Sequence, residues 1–284
     1  MKIKEILQEE NIEKEQKKLA LEQVLNLSKP EIILNKERKL TKKEYKSYQK
    51  IIKKLQKDIP IQYITNKAYF YGEEFFVNKN VLIPRPETET LVKDTLTLID
   101  KHFKDKNLKA LDIGTGSGII AITLNKENKN LKITATDISK KALKVSKKNQ
   151  KIHQTDIKFI NTDLYKNIKD EFDIIISNPP YINENSKQVQ KQVIKNEPHL
   201  ALFGGKDGLD FYRNILKDIK PITKNKHIIA FEIGENQGEK IEKLIKKQFP
   251  KDKVIIKKDY NGFDRYIYSV SIWQSQKNLV KFLQ

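Results

Sequence analysis

Tyr45, Tyr48, Ile51, Ile52 and Leu55 recur at helical spacing, with lysines filling the positions between them. Just upstream, Thr41-Lys42-Lys43-Glu44 has the form of a capping box. The threonine hydroxyl accepts an orphan helix N–H while the glutamate reaches back to the cap, so a helix is predicted to start after Thr41. Ser28, ahead of Pro30 and Glu31, marks a second helix start, because proline in a first turn gives up an N–H that has no partner there. Residues 1–75 therefore read as a helical module. Pro60 is expected to end its long helix. Over 61–83 the pattern turns to Tyr, Phe, Ile and Val around Gly72, which predicts short extended segments leading into a second region. Pro84 and Pro86 stiffen the start of a further helix, with Glu87 in the first turn where the helix dipole favours acid, so 76–107 reads as a linker with a lead-in helix.

From residue 108 the pattern changes to apolar strands alternating with helical stretches. Strands are predicted at Lys109–Ile113, Leu131–Asp137, Ile157–Ile160, Phe172–Ser177, His227–Ile233, Val254–Lys257 and Tyr266–Ile272. Helices are predicted at Ser117–Asn125 and, behind a Ser139 cap, at Lys140–Gln150. A continuous apolar run such as Ile174-Ile175-Ile176 fits a strand buried on both faces. The alternation predicts an α/β domain over 108–284, a doubly wound parallel sheet with helices on both faces. The last two strands lie too close in sequence for a helical crossover of a dozen or more residues, so the last is expected to run antiparallel.

Two short segments in this region carry chemistry. Asp112-Ile113-Gly114-Thr115-Gly116-Ser117-Gly118 places three glycines where a strand becomes a helix. Glycine lets the backbone turn tightly and come close to a ligand. The turn faces the binding crevice of an open parallel sheet. The spacing is G-x-G-x-G, not the G-x-G-x-x-G of dinucleotide sites. Asp112 would repel a pyrophosphate but suits the ammonium of a methionine moiety. Asp137, closing the next strand, can accept hydrogen bonds from ribose hydroxyls, and Asp163 can accept one from an adenine amino group. No P-loop or G-x-S-x-G elbow competes with this reading.

The second segment is Asn178-Pro179-Pro180-Tyr181, directly after the strand ending at Ser177. Two prolines fix two φ angles and remove two N–H donors, and the residue before proline is forced to be extended. The loop is a stiff display of acceptor oxygens. A planar NH2 group can donate to the Asn178 side-chain oxygen and to the Pro179 carbonyl while Tyr181 stacks on its face. Together the two segments predict methyl transfer from S-adenosylmethionine to a planar NH2 group. Alignment replaces a strong base, since the proton can leave after methylation.

Composition limits the alternatives. The chain has 284 residues, of which 38% are hydrophobic, and no apolar run approaches the ~20 residues that span a bilayer. The charge-alternating stretch Met1–Lys18 has no apolar signal region, so a cytoplasmic protein is expected. With no cysteine, and with His102, His153, His199 and His227 far apart, no metal site is expected. The net charge of +19 admits an acidic or nucleic-acid partner, including proximity to the ribosome. Only four of the 56 basic residues are arginine, the side chain suited to bidentate recognition, which favours biased composition instead. A monomer is the default expectation.

With these motifs in place, the chain resembles the release factor glutamine methyltransferases (HemK-type enzymes). Asn178-Pro179-Pro180-Tyr181 is shared with DNA adenine and some RNA methyltransferases. Three further segments carry the resemblance: Ile83-Pro84-Arg85-Pro86-Glu87-Thr88-Glu89; Glu197-Pro198 followed by Ala201-Leu202-Phe203-Gly204-Gly205-Lys206-Asp207-Gly208-Leu209; and Gly262-Phe263-Asp264-Arg265. The resemblance implies a Rossmann-like, seven-stranded methyltransferase sheet. It implies N5 methylation of the glutamine of the Gly-Gly-Gln motif in peptide chain release factors, gripped in part by the helical module. By position, Asp112, Gly114, Thr115, Gly116, Ser117, Gly118, Asp137, Asp163, Leu164 and Asn178 would bind S-adenosylmethionine. Asn178, Pro179, Pro180 and Tyr181 would bind the glutamine, with Asn178, Pro179 and Tyr181 catalytic. Leu164 stands where some members carry tryptophan against the adenine. The segment with Arg85 and Thr88 is expected to line the methionine end of the crevice. Three other readings stand beside this one: a nucleic-acid methyltransferase using the same loop, a Rossmann-type oxidoreductase, and a non-catalytic binding module.

Overall fold

The structure, a computed structural model, describes residues 1–9, 12–104, 107–186 and 190–271. Five helices open the chain: α1 (Ile3–Gln8), α2 (Lys14–Leu25), α3 (Lys29–Leu34), α4 (Lys42–Leu55) and α5 (Ile61–Thr65). They close on their own core of Ile3, Ile6, Ala20, Leu21, Ile32, Tyr48, Ile52 and Leu55. The predicted capping box at α4 is present: Glu44 N donates to Thr41 Oγ1 (3.2 Å) and Thr41 N donates to Glu44 Oε2 (2.7 Å). At α3 the Glu31 carboxylate accepts from both the backbone N–H and the hydroxyl of Ser28. Pro60 acts differently from expectation. Helix α4 already stops at Leu55, and the chain turns through Asp58 at φ +62°. Pro60 instead sits at the N-cap of α5, so residues 61–65 are helical where extended chain is predicted. A proline tolerated at a helix start gives the same sequence signal as one that stops a helix.

The extended pair follows as a hairpin, β1 (Lys67–Phe70) and β2 (Glu73–Phe76). Its two turn residues, Tyr71 (φ +53°) and Gly72 (φ +75°), both lie in the left-handed region, which matches the strand twist. Helix α6 (Glu87–His102) then leads into the sheet. The remaining elements are β3 (Lys109–Ile113), α7 (Ile119–Glu127), β4 (Lys132–Asp137), α8 (Lys140–His153), β5 (Ile157–Asn161), β6 (Phe172–Ser177), α9 (Lys191–Asn196), α10 (Asp210–Lys217), β7 (Thr223–Glu232), α11 (Gly238–Gln248), β8 (Lys253–Lys258) and β9 (Asp264–Val270). The predicted strands fall on these within a few residues; Ile272 lies outside the described residues. Helix α7 begins two residues later than predicted, because Gly116 and Gly118 are still in left-handed turn geometry.

Seven strands form one sheet in the order β5-β4-β3-β6-β7-β9-β8. The first five are parallel, and β9 runs antiparallel between β7 and β8. Alternate residues sort onto two faces. Ala110, Ile174, Ile176, Ile228 and Ala230 pack with Leu91, Val92, Leu98 and Ile99 of α6 and with Ile120–Leu124 of α7. Leu111, Ile113, Ile175, Ile229 and Phe231 pack with Tyr212, Ile215 and Leu216 of α10 and with Ile241 and Ile245 of α11. Each fully buried isoleucine contributes roughly 1.5–3 kcal/mol of transfer free energy, so the run at 174–176 anchors both layers. The chain moves outward from β3 to β4 and β5, then returns to the other side of β3 at β6. The switch point between β3 and β6 is where an open α/β sheet leaves a crevice at the carboxyl ends of its strands. No helix among the described residues is long and apolar enough to cross a membrane.

Candidate active site

Both motifs lie at this switch point. Asp112 of β3 is in register with Ile176 of β6, so continuing the ladder sets Gly114 beside Asn178. Neighbouring strands lie about 4.8 Å apart. Ser177 Oγ donates to Ile113 O (2.6 Å) and ties the root of one loop to the root of the other.

The glycine turn has a polar floor. Gly114 N and Thr115 N both donate to Thr136 O of β4, at 2.9 Å. Asp112 is completely buried, and its Oδ2 accepts from Thr115 Oγ1 (2.6 Å) while Oδ1 has no partner. Burial pushes the Asp112 carboxyl up to about 7, the Thr115 hydrogen bond and the Ala121 backbone N–H opposing and the charge of Asp137 assisting. Asp137 is half-buried; Oδ2 accepts from Gly116 N (2.9 Å) and Oδ1 from Ser139 N (2.8 Å). Burial raises its pKa too, and those two backbone donors pull it back. Each carboxylate oxygen offers about two lone-pair sites, so Asp137 keeps one on each oxygen.

This turn fits an adenosylmethionine-type ligand on two observations. The orphaned Asp112 oxygen calls for a donor, and an ammonium supplies one. A Cβ on Gly114 would meet nothing within 4 Å and one on Gly116 only Gly114 O at 4.0 Å, so the space in front of both is open, while φ of +73° and +57° requires glycine. Gly118 differs. Its Cβ would lie 2.9 Å from Ser146 Cβ on α8, and its N–H already donates to Thr115 O, so its role is helix packing. Gly118→Ala, strained at φ +85° and overpacked, is expected to lower stability by about 2–4 kcal/mol, read from a denaturant melt; an unchanged midpoint would refute the packing role. Thr115 and Ser117 are buried beneath the turn. Asp163 is exposed and ion-paired with Lys166 (2.6 Å). Leu164 is half-buried against the second core in left-handed geometry (φ +52°).

The acceptor loop is buttressed from four parts of the chain. Asn178 Nδ2 donates to Thr88 Oγ1 (3.1 Å), and Thr88 Oγ1 donates to Glu232 Oε2 (2.7 Å). Tyr181 OH donates to Glu232 Oε1 (3.2 Å), and Arg265 Nη1 lies 3.5 Å from that hydroxyl. Burial raises the Tyr181 pKa, Glu232 adding to the shift. The Tyr181 ring packs against the second core. Its hydroxyl is thus tethered behind the loop. Gly204 and Gly208 leave no room for a side chain: a Cβ would lie 2.5 Å from Pro180 O and 2.3 Å from Tyr181 O. Gln237 Nε2 donates to Tyr181 O (3.0 Å). Glu197, also buried, accepts from Ile83 N (3.0 Å) and from Arg85 Nη2 (2.5 Å). Thr88 thus supports the acceptor loop directly, while Arg85 is ion-paired with Glu197. What the supports leave over is specific: Asn178 Oδ1 and the Pro179 carbonyl accept no hydrogen bond among the described residues.

Sequence reasoning passed over Glu232, Gln237 and Tyr212, whose hydroxyl donates to Glu232 O (2.7 Å). Glu232 closes an apolar strand, and an acid in that position was the one available signal. Among the described residues no group of three or more His, Cys, Asp or Glu side chains is placed to hold a metal ion. His227 is buried between Lys224 O and Asp252 Oδ2, each at 2.8 Å, at the far end of the sheet.

A five-strand parallel core, an inserted antiparallel strand and a glycine turn beside a rigid Asn-Pro-Pro-Tyr loop define a Rossmann-like methyltransferase. The model of the methyltransferase small domain matches residues 91–206, and that of the PrmC N-terminal domain matches residues 2–65. The release factor glutamine methyltransferase of Bacillus cereus is 40% identical over 93% of this chain and 94% of its own length. That of Bacillus subtilis is 43% identical over 74% of each chain. The chain belongs to the release factor glutamine methyltransferase family. A methyltransferase from Pyrococcus furiosus superimposes with a TM-score of 0.51 at 20% identity, over 71% of this chain and 90% of that one, a likeness of fold.

Proposed function

We propose that this protein transfers a methyl group to the side-chain amide nitrogen of the Gly-Gly-Gln glutamine in peptide chain release factors. The observation that carries this reading is the pair of free acceptors, Asn178 Oδ1 and Pro179 O, on a proline-stiffened loop beside the glycine turn. A primary carboxamide has two N–H donors in one plane, and these two oxygens take one each.

S-adenosylmethionine is the cofactor, and it supplies an electrophilic methyl group on a sulfonium. Asp112 would hold the ammonium end, Asp137 the ribose hydroxyls, and Asp163 with Leu164 the adenine; Gly114 and Gly116 would let the backbone approach. Asn178 and Pro179 fix the amide plane so that the lone pair, poorly nucleophilic through delocalisation, is aimed at the methyl carbon. Such positioning is worth ~7–11 kcal/mol in favourable cases. Throughout, the two oxygens would hold the amide protons, one of which can leave to water once the nitrogen is methylated. Helices α1–α5 grip the release factor. Lys195 Nζ (3.3 Å to Asp58 Oδ2) and Asn196 Nδ2 (2.8 Å to Asp58 O) join that module to the segment beyond the acceptor loop. The protein acts as a cytoplasmic monomer, and its charge of +19 is compatible with work close to the ribosome.

The test is labelled S-adenosylmethionine offered with release factor, DNA or ribosomal RNA. Label is expected on the release factor alone, and to vanish when the Gly-Gly-Gln glutamine is replaced by alanine. Label on nucleic acid and none on release factor would overturn the reading in favour of the rival nucleic-acid methyltransferase.

A further inference from the structure

The contact between Asn178 and Thr88 has a direction, and the direction is forced. Glu232 is 1% exposed at the end of β7. Both of its oxygens accept, Oε2 from Thr88 Oγ1 and Oε1 from Tyr181 OH, the bonding pattern of a carboxylate; burial pushes its carboxyl up to about 6, the Thr88 hydrogen bond and the Arg265 charge opposing. An ionised carboxylate only accepts hydrogen bonds. Thr88 has one hydroxyl proton, and Glu232 Oε2 takes it at 2.7 Å. The remaining Thr88 lone pairs can then only accept. Of the two ends of the Asn178 carboxamide, only Nδ2 can face such an oxygen, and it does, at 3.1 Å. The two ends of a carboxamide are alike in shape, and the surrounding network decides which end is which. Here the network turns Asn178 Oδ1 outward.

We propose that Thr88 and Glu232 are positioning residues that lock the Asn178 carboxamide with its oxygen outward and so make the acceptor site select an amide over a carboxylate. The inference rests on the release-factor reading. A glutamine side chain brings an NH2 donor to Asn178 Oδ1 and Pro179 O. A glutamate of equal size brings only acceptor oxygens and meets two acceptors. If Asn178 could flip, its Nδ2 would greet that glutamate, and the discrimination would fall. Glu232 holds both ends of the loop, Asn178 through Thr88 and Tyr181 directly, so the lock and the loop's rigidity share one carboxylate. Sites built to pair polar groups reject an isostere by leaving those groups unpaired.

The experiment compares wild type, Thr88→Ser, Thr88→Val and Glu232→Gln. Each is titrated with a release factor carrying Gly-Gly-Gln and with the same factor carrying Gly-Gly-Glu, and Kd is read calorimetrically alongside kcat. Wild type and Thr88→Ser are expected to bind the glutamine form at least about 30-fold tighter than the glutamate form. In Thr88→Val, of nearly the same shape, and in Glu232→Gln, which can donate or accept, that ratio is expected to fall about 10-fold. In Thr88→Val kcat is expected to drop 10- to 100-fold while cofactor Kd stays within twofold. A merely structural Thr88 would not change the Gln/Glu ratio. If Thr88→Val does not fold, Glu232→Gln decides alone, and a wild-type ratio in the folded variants overturns the lock. Failure of the underlying reading looks different: wild type would neither bind nor methylate the glutamine form.

Discussion

Asn178→Ala is expected to lower the single-turnover rate of release-factor methylation by about 10³-fold and to leave cofactor affinity within twofold. The side chain offers one of the two acceptors that take the substrate amide, and nothing behind it can substitute, because Thr88 and Glu232 are already committed to each other. Removing a preorganised hydrogen-bonding partner of a reacting group costs about 10²–10³ in rate. Here the substrate amide also becomes free to rotate, and orientation is the main source of acceleration for a nucleophile this weak. The glycine turn is held by Thr136 O and by Asp112 with Thr115, none of which touches Asn178. Equal loss of turnover and cofactor binding would mean the residue serves the cofactor instead.

Asp112→Asn is expected to weaken cofactor binding by about 10- to 100-fold and, in the same protein, to flatten the dependence of stability on pH. A hydrogen bond to a charged group is worth about 1.5–3 kcal/mol, and the neutral amide forfeits the charge. The pH effect follows from burial. Folded, Asp112 keeps its proton up to about pH 7; unfolded, it loses it near its ordinary value of 3.8. Between those limits the folded state binds more protons, so the stability that this group contributes is complete below about pH 4 and is lost as pH rises through 7. Asparagine does not titrate, so the ligand-free variant should outlast the parent at pH 8 in thermal melts. With Asp112 as the proposed partner of the ammonium, cofactor affinity of the parent should rise from pH 6 to pH 8 as its carboxylate becomes ionised. A variant with the parent's affinity at pH 8 would remove Asp112 from the ammonium site.

The sheet was readable because its central strands carry apolar runs of strand length: Phe172–Ser177 has the same ends in sequence and in structure. The Thr41 cap was readable because its two hydrogen bonds span three residues. The glycine turn and the Asn-Pro-Pro-Tyr loop announce themselves because backbone geometry demands those residue types locally. Their supports do not. Thr88 and Glu232 meet across 144 positions and Ile83 and Glu197 across 114, and no local pattern encodes such pairs. The tether on Tyr181 is hidden for the same reason, since its partners, Glu232 and Arg265, come from β7 and β9. Pro60 shows the opposite limit, a local signal with two meanings that only the neighbouring helices resolve.

The placement of β9 between β7 and β8 has a consequence for how the chain is made. Ribosomes deliver residues in order, yet Ile228–Phe231 gain their second neighbour only from residues 267–270, and β8 has no strand to join until then. A nascent polypeptide halted before that point carries a bare, apolar ribbon edge, the kind that recruits other chains. Completion of the sheet, and with it the seating of Arg265 against Tyr181, is thus deferred until β9 has been threaded in.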